Sequence, residues 1–339
     1  MLINKNKQLK NISELRQDLV SEDWVIIATA RNKRPNEMIT KKEPREITPI
    51  EKCPFEDLEK SDNGPVLMEE KIPGTDESLV KIISNKFPAL DSHRLSIKKQ
   101  EIGPYRKMNG YGKHEVVILK DHFKQLSDFS HLEMTTLLAA LRRRYREIAQ
   151  DKKIKYISIF HNLGPLAGAS LFHPHLQIIA TPAISSTIKQ AVIGSEHYWK
   201  KHRKCPHCEI INFELKEKKR VIFENDKAVV ITPFVSREPF ELKIYPKNHS
   251  SYFEDCGDEM NAMAEALCFS LKLLKNKLSD PDLNFFIHTA PVYKKEKFSH
   301  FHWHIEIIPR ICISAGFEIG TGVEITPMDP DEGAEFLKS

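Results

Sequence analysis

The 339-residue chain is long enough for two domains of ordinary size, each able to bury an apolar core. With 29% charged and 40% hydrophobic residues its composition is that of a globular protein, and a net charge of +4 is too small to mark a nucleic-acid surface. The polar N-terminus, MLINKNKQLKNISELRQDL, has no apolar stretch of signal-peptide length and no later run approaches the ~20 apolar residues of a membrane span, so a cytoplasmic protein without membrane or nucleic-acid partners is expected.

In chain order the first feature is a Cys-Pro knuckle, CPFE, from Cys53 to Glu56. ISNKFPAL follows around Asn85, and then VVILKDHFKQLSDFS around His122. An amphipathic helix is predicted from about Leu132 to Gln150. Ser130 and Glu133 are spaced as its capping box, and RRRYR falls toward its C-terminal part, where the helix dipole favours cations. FHPHLQIIATP, from Phe172, alternates His with another residue before Ile-Ile. It reads as a strand with one polar and one apolar face, placing His173 and His175 on the same side.

The series then starts again. CPHC, from Cys205 to Cys208, is the second knuckle; six cysteines are too few for a disulfide scaffold, and two of them in a C-P-H-C tetrapeptide favour metal in a reducing compartment. FENDKAVVITPF around Asn225 parallels the segment around Asn85, and ELKIYPKNHSSYFED around His249 parallels the one around His122. A second helix is predicted from about Asp258 to Leu278. FHWHIEIIPR, from Phe301, repeats the His-rich strand, so His302 and His304 share a side. The order of matches predicts an α+β protein of two copies of one unit, residues 1–185 and 186–339, each an antiparallel sheet with helices, joined near residues 182–204.

Superposing the copies aligns their metal-ligating residues. Cys205, Cys208, His249 and His302 form a Cys2His2 set suited to tetrahedral zinc in a closed structural site. The first copy offers Cys53, His122 and His173, with Glu56 in the fourth place. A Cys-Glu-His-His zinc site and a site that has lost its metal both remain open. In either case the expected role is to brace the strand that presents His175.

From Phe160 to Gln177, FHNLGPLAGASLFHPHLQ resembles the active-site motif of the galactose-1-phosphate uridylyltransferase branch of the histidine-triad superfamily. Asn162, Gly168, Ser170, His173, Pro174, His175 and Gln177 stand at that family's spacing. DLVSEDWVIIATARNKRP near the start and AGFEIGTGVEITP near the end are also family-like, so the resemblance covers most of the chain. It implies two tandem histidine-triad-like domains with the first catalytic, and it makes the second His of H-P-H, His175, the nucleophile. A neutral imidazole is a good nucleophile toward phosphorus, and a nucleotidyl-imidazole divides one exchange between phosphate esters into two in-line steps.

In hydrolytic members of the superfamily the position of Gln177 is a histidine that helps protonate a poor leaving group. Glutamine offers hydrogen bonds alone, which suits transfer between phosphates, with the amide on a nonbridging oxygen. Ser170 and the segment around Gly168 bring small donors and backbone amides toward phosphate, and Arg31 and Arg34 add permanent cations. The resemblance implies that these arginines act across a homodimer interface. It also implies that Asn85, Lys86 and Phe87 hold ribose and base, and that Glu318 accepts hydroxyls of the hexose.

The implied reaction is uridylyl exchange between UDP-glucose and a hexose 1-phosphate, foremost galactose 1-phosphate, in a zinc-containing enzyme. An adenylyl-transferring relative of the ADP-glucose phosphorylase kind is the alternative, because the GFEIGTG ending and the two-cysteine knuckle resemble that branch too. A non-catalytic, zinc-braced nucleotide-binding protein is the third reading. In the second His-rich strand Trp303 replaces Pro174 and Glu306 replaces Gln177, so a second active site is not expected. In some relatives positions matching His288, His302 and His304 share a metal with a glutamate, which leaves that set as an alternative to the Cys205 and Cys208 site.

Overall fold

The computed structural model describes residues 13–29, 45–91 and 96–339. In chain order it has β1 (Glu14–Gln17), β2 (Trp24–Ile27), β3 (Val66–Lys71), β4 (Ser78–Ser84), β5 (Lys99–Ile102), β6 (Tyr105–Met108), β7 (Lys113–Leu119), α1 (His131–Ala149), β8 (Tyr156–Leu163) and β9 (His175–Thr181). Then come α2 (Ser186–His202), α3 (Pro206–Glu217), β10 (Val221–Glu224), β11 (Ala228–Ile231), β12 (Leu242–Pro246), α4 (Met260–Lys277), β13 (Leu283–His288), β14 (His304–Pro309), α5 (Gly316–Thr321), β15 (Ile325–Thr326) and α6 (Pro330–Lys338). Among the described residues no helix is long and apolar enough to cross a membrane.

The architecture is mixed α+β. Ten strands form one sheet in the order β10-β11-β12-β14-β13-β8-β9-β7-β4-β3, with every pairing antiparallel. Outward from the central β8–β13 pair, β9, β7, β4 and β3 on one side answer to β14, β12, β11 and β10 on the other. The duplication read in the sequence is therefore a duplication of strand order. The β8–β13 pairing also fuses the copies. Leu137 and Leu141 of α1, Leu267 and Leu271 of α4, and Val117, Leu176 and Ile305 of the sheet belong to one continuous buried cluster where two cores were expected.

The helices fall close to their predicted limits. At α1 the capping box closes both ways: Glu133 N–H donates to Ser130 Oγ at 3.3 Å, and Glu133 Oε2 accepts Ser130 N–H at 2.8 Å. The basic run does more than face the dipole. Arg144 grips the buried Glu115 at 2.6 Å, while Arg146 donates to Glu254 O at 2.9 Å and so ties α1 to the other half.

Both His-rich strands start one histidine later than expected, at His175 and His304. Pro174 has no N–H for the ladder, and Trp303 N–H donates to Ser250 O at 2.9 Å, so neither extends the strand backward. The expected match of Asn85 with Asn225 is one strand out. Asn225 lies between β10 and β11, whereas Asn85 follows β4, the counterpart of β11. Two similar short segments align by composition alone, and only sheet position tells them apart.

Candidate active site and metal clusters

Side chains alternate across a strand, so the register decides which of them share a face. Leu176 and Ile178 of β9 point to the helices and are fully buried. Phe160 pairs with Gln177, Val116 with Gln177 and His114 with Ile179. His114, Asn162, His175 and Gln177 thus occupy the sheet face away from α1 and α4.

His175 opens β9 and is buried, 8% exposed. Its Nδ1 donates to His173 O at 2.9 Å, which leaves the lone pair of a neutral ring on Nε2. Burial lowers its pKa and so favours that neutral ring. Phe55 lies edge-on to it with ring centroids 5.3 Å apart. From the opposite face His161, its own pKa pushed down to about 4 by burial, donates Nδ1–H to His175 O at 2.8 Å.

Between β8 and β9 the chain turns through Gly164 (φ 84°), the short turn Pro165–Ala167 and Gly168 (φ 83°). Asn162, Gly164, Ser170 and His173 line a cleft of about 380 Å³ together with Arg45 and Gln125. The loop is seated on residues from the other half. Asp282 Oδ2 accepts Leu166 N–H at 2.8 Å, its Oδ1 accepts Arg45 Nε–H at 3.1 Å, and Asn284 Nδ2 donates to Ala167 O at 2.9 Å.

The two knuckles gather the expected ligand sets, the ligand atoms of each lying within 4.8 Å of one another. In the first, Glu56 Oε1 lies 3.1 Å from both His122 Nδ1 and His173 Nδ1, and Cys53 Sγ lies 3.5 Å from His173 Nδ1. In the second, Cys208 Sγ lies 3.4 Å from His249 Nδ1 and 3.5 Å from His302 Nδ1, with Cys205 beside it. All four imidazoles turn Nδ1 inward and donate Nε2–H to a backbone carbonyl: Thr48 O at 2.7 Å, Leu119 O at 2.6 Å, Ser299 O at 2.8 Å and Pro246 O at 3.0 Å. A metal-ligating histidine is held this way, with its second nitrogen fixing tautomer and ring plane. A hydrogen bond from the Cys205 thiol holds the Cys208 thiol well below its usual range, which favours a thiolate there. Both residue sets fit a tetrahedral zinc ion, which would cross-link the knuckle to the end of the neighbouring strand.

The remaining sequence-derived positions are less concentrated. Asn85 and Gln177 both reach His114, at 3.1 Å and 2.8 Å. Lys86 donates to Ser61 O at 2.9 Å, and Phe87 is 83% exposed. Glu318 caps α5, accepting Ala315 N–H at 3.0 Å, and among the described residues no hydrogen bond or ion pair joins it to the other site residues. Arg31 and Arg34 lie outside the described residues. In the second copy His304 takes the place of His175 and likewise donates Nδ1–H to the carbonyl two residues back, His302 O, at 3.1 Å. His288 stacks on it at 4.8 Å and Glu306 lies 3.4 Å from His288, so these three form a group separate from His302, which turns to the cysteines.

Among the described residues, Arg45, His114, Gln125, Asp282 and Asn284 touch the site and escaped the sequence reading. None belongs to a motif, and the only pointer to any of them was the alternation that puts His114 on the same strand face as Val116 and Ile118.

A family model described as a domain of unknown function, DUF4921, matches residues 74–337. The chain is 34% identical over 330 residues to the ADP-glucose phosphorylase of Arabidopsis thaliana, with 96% of this chain and 92% of the relative covered. It is 32% identical over 337 residues to the galactose-1-phosphate uridylyltransferase of Thermotoga maritima, with 96% and 98% covered. Among solved structures, an ADP-glucose phosphorylase from Arabidopsis thaliana with bound ADP-glucose superposes with a TM-score of 0.80 at 31% identity, covering 97% of this chain and 99% of that one.

Proposed function

The chain belongs to the galactose-1-phosphate uridylyltransferase-like family of nucleotidyltransferases, and from that membership we propose that it moves a nucleoside monophosphoryl group from a nucleotide sugar to a phosphate acceptor through a covalent intermediate on His175. The observation that carries this reading is the tautomer of His175. With Nδ1–H given to His173 O, the free lone pair of Nε2 is the only basic atom the ring can offer. Nε2 attacks the α-phosphorus, the P–O bond to the departing sugar phosphate breaks, and a P–N bond holds the nucleotidyl group. An oxygen of the acceptor phosphate then attacks the same phosphorus in line, and the P–N bond breaks to return neutral His175.

Asn162, Gln177 and Ser170 supply hydrogen bonds to nonbridging oxygens, and backbone amides around Gly168 face the same charge. Asn85, Lys86 and Phe87 take the nucleoside, Glu318 the hexose, and Arg31 and Arg34 the phosphates. Zinc, when bound at the two clusters, supplies cross-links that fix the strands carrying these groups and takes no part in the transfer.

Two donors fit this chemistry. UDP-glucose with galactose 1-phosphate as acceptor is the reading drawn from the motif. ADP-glucose with phosphate as acceptor is favoured by the second-half knuckle, Cys205 and Cys208, and by the 34% identical relative of that name. The discriminating experiment is incubation with UDP-glucose and, separately, ADP-glucose, each labelled in the α-phosphate, followed by recovery of protein-bound label stable to base and labile to acid. The donor that labels the protein is the substrate. Absence of label from both would overturn the covalent mechanism.

A further inference from the structure

Two amide side chains of the proposed site, Gln177 and Asn162, can help a phosphoryl group only if they present NH2 to it and not C=O, and an amide can turn either way. Building on the reading of His175 above, we infer that His114 and Asn284 are positioning residues that fix these two amides with their nitrogens toward the substrate.

The assignment at Gln177 starts from a backbone group. Ala89 N–H is a donor without alternative, and it points at His114 Nδ1 at 3.1 Å, so Nδ1 accepts. The proton of the neutral ring is then on Nε2, which can bond only to an acceptor. Asn85, whose Oδ1 is taken by Phe87 N–H at 2.8 Å, brings only its nitrogen to that position. The acceptor is the Gln177 atom 2.8 Å away, and this makes it Oε1. At Asn162 the anchor is a carbonyl. Ala167 O accepts, so the Asn284 atom 2.9 Å from it is the amide nitrogen. The same nitrogen lies 2.8 Å from Asn162, whose facing atom is therefore Oδ1. Neither Gln177 Nε2 nor Asn162 Nδ2 has a hydrogen-bond partner among the described residues, and both stand on the sheet face of His175. Two donors are thus preset beside the nucleophile, one by β7 of its own half and one by β13 of the other.

The test measures the single-turnover rate of protein labelling by α-labelled UDP-glucose and ADP-glucose in full-length protein. His114→Phe should slow labelling by roughly 10- to 100-fold, part of the loss from deleting a whole oxyanion donor, with substrate half-saturation little changed. His114→Gln, which restores a donor near the place of Nε2, should recover much of the rate. Asn284→Asp replaces the NH2 by an acceptor, turns the Asn162 nitrogen inward, and should cost at least as much as Asn284→Ala. A purely structural role is separated by double mutants. His114→Phe should add nothing in a Gln177→Ala background, nor Asn284→Asp in an Asn162→Ala background, whereas general loosening of the fold would slow both backgrounds equally. Wild-type protein that takes no label overturns the reading of His175 and this inference with it. Labelled wild type with full rates in His114→Phe and Asn284→Asp, or full additivity in the double mutants, overturns the inference alone.

Discussion

Gly164 and Gly168 bracket one loop with nearly the same φ, 84° and 83°, yet substitution by alanine should separate them sharply. At Gly168 (ψ 17°) a Cβ meets nothing within 4 Å, so Gly168→Ala costs only the left-handed backbone, about 1 to 2 kcal/mol. At Gly164 ψ is 166°, a region open essentially to glycine alone and costing other residues about 1 to 3 kcal/mol. The added Cβ would also stand 2.0 Å from Asp282 Oδ1 and 2.3 Å from its Cγ. That carboxylate must move, and it holds Leu166 N–H and Arg45. Charged hydrogen bonds of this kind contribute about 1.5 to 3 kcal/mol each, so Gly164→Ala should cost at least about 4 kcal/mol if the carboxylate is driven off both Leu166 N–H and Arg45. If the loop instead lets go of Asp282, stability falls less, but the segment from Asn162 to Ser170 loses its seat and transfer slows. Urea unfolding and the single-turnover labelling rate together read both outcomes. A Gly164→Ala protein within about 0.5 kcal/mol of Gly168→Ala in stability and about threefold in rate would refute the seating of this loop on Asp282.

His175→Gly should form no labelled adduct with either nucleotide sugar while unfolding at close to the wild-type urea concentration; a surviving adduct would place the nucleophile elsewhere. Metal analysis should find about two zinc ions per chain, falling to about one in Cys208→Ser, with lower stability but a nearly normal labelling rate in the fraction that folds. An unchanged zinc content in Cys208→Ser would remove the Cys2His2 assignment. Gln177→His should raise hydrolysis of a nucleoside phosphoramidate relative to residual exchange, because an imidazole there can protonate a poor leaving group. If the ratio does not rise, leaving-group protonation is not what distinguishes glutamine from histidine at this position.

What the sequence determined by itself is whatever depends on neighbours along the chain. The limits of α1 were legible because Ser130 and Glu133 cap each other across three residues, and the two knuckles because two candidate ligands of each set are fixed by short covalent spacing. His175 stood out as a candidate nucleophile because a dense motif surrounds it. The duplication showed as repeated order, and the fold it implied, two tandem copies of an α+β unit, matches the strand order on both sides of β8 and β13.

Only the tertiary structure decided which distant residues support that motif. Asn284 meets Asn162 across 122 positions because β8 and β13 pair in a particular register, and a slip of one residue would turn either side chain to the other face. Asp282 reaches the β8–β9 loop through the same pairing, and His114 reaches Gln177 through β7 and β9. The register also sent His302 to the cysteines and left His288, His304 and Glu306 as a separate group. Strand register is set by the packing of the whole sheet over a shared core. No local pattern in the sequence carries it, so the residues that orient the proposed catalytic groups became visible only once the strands were paired.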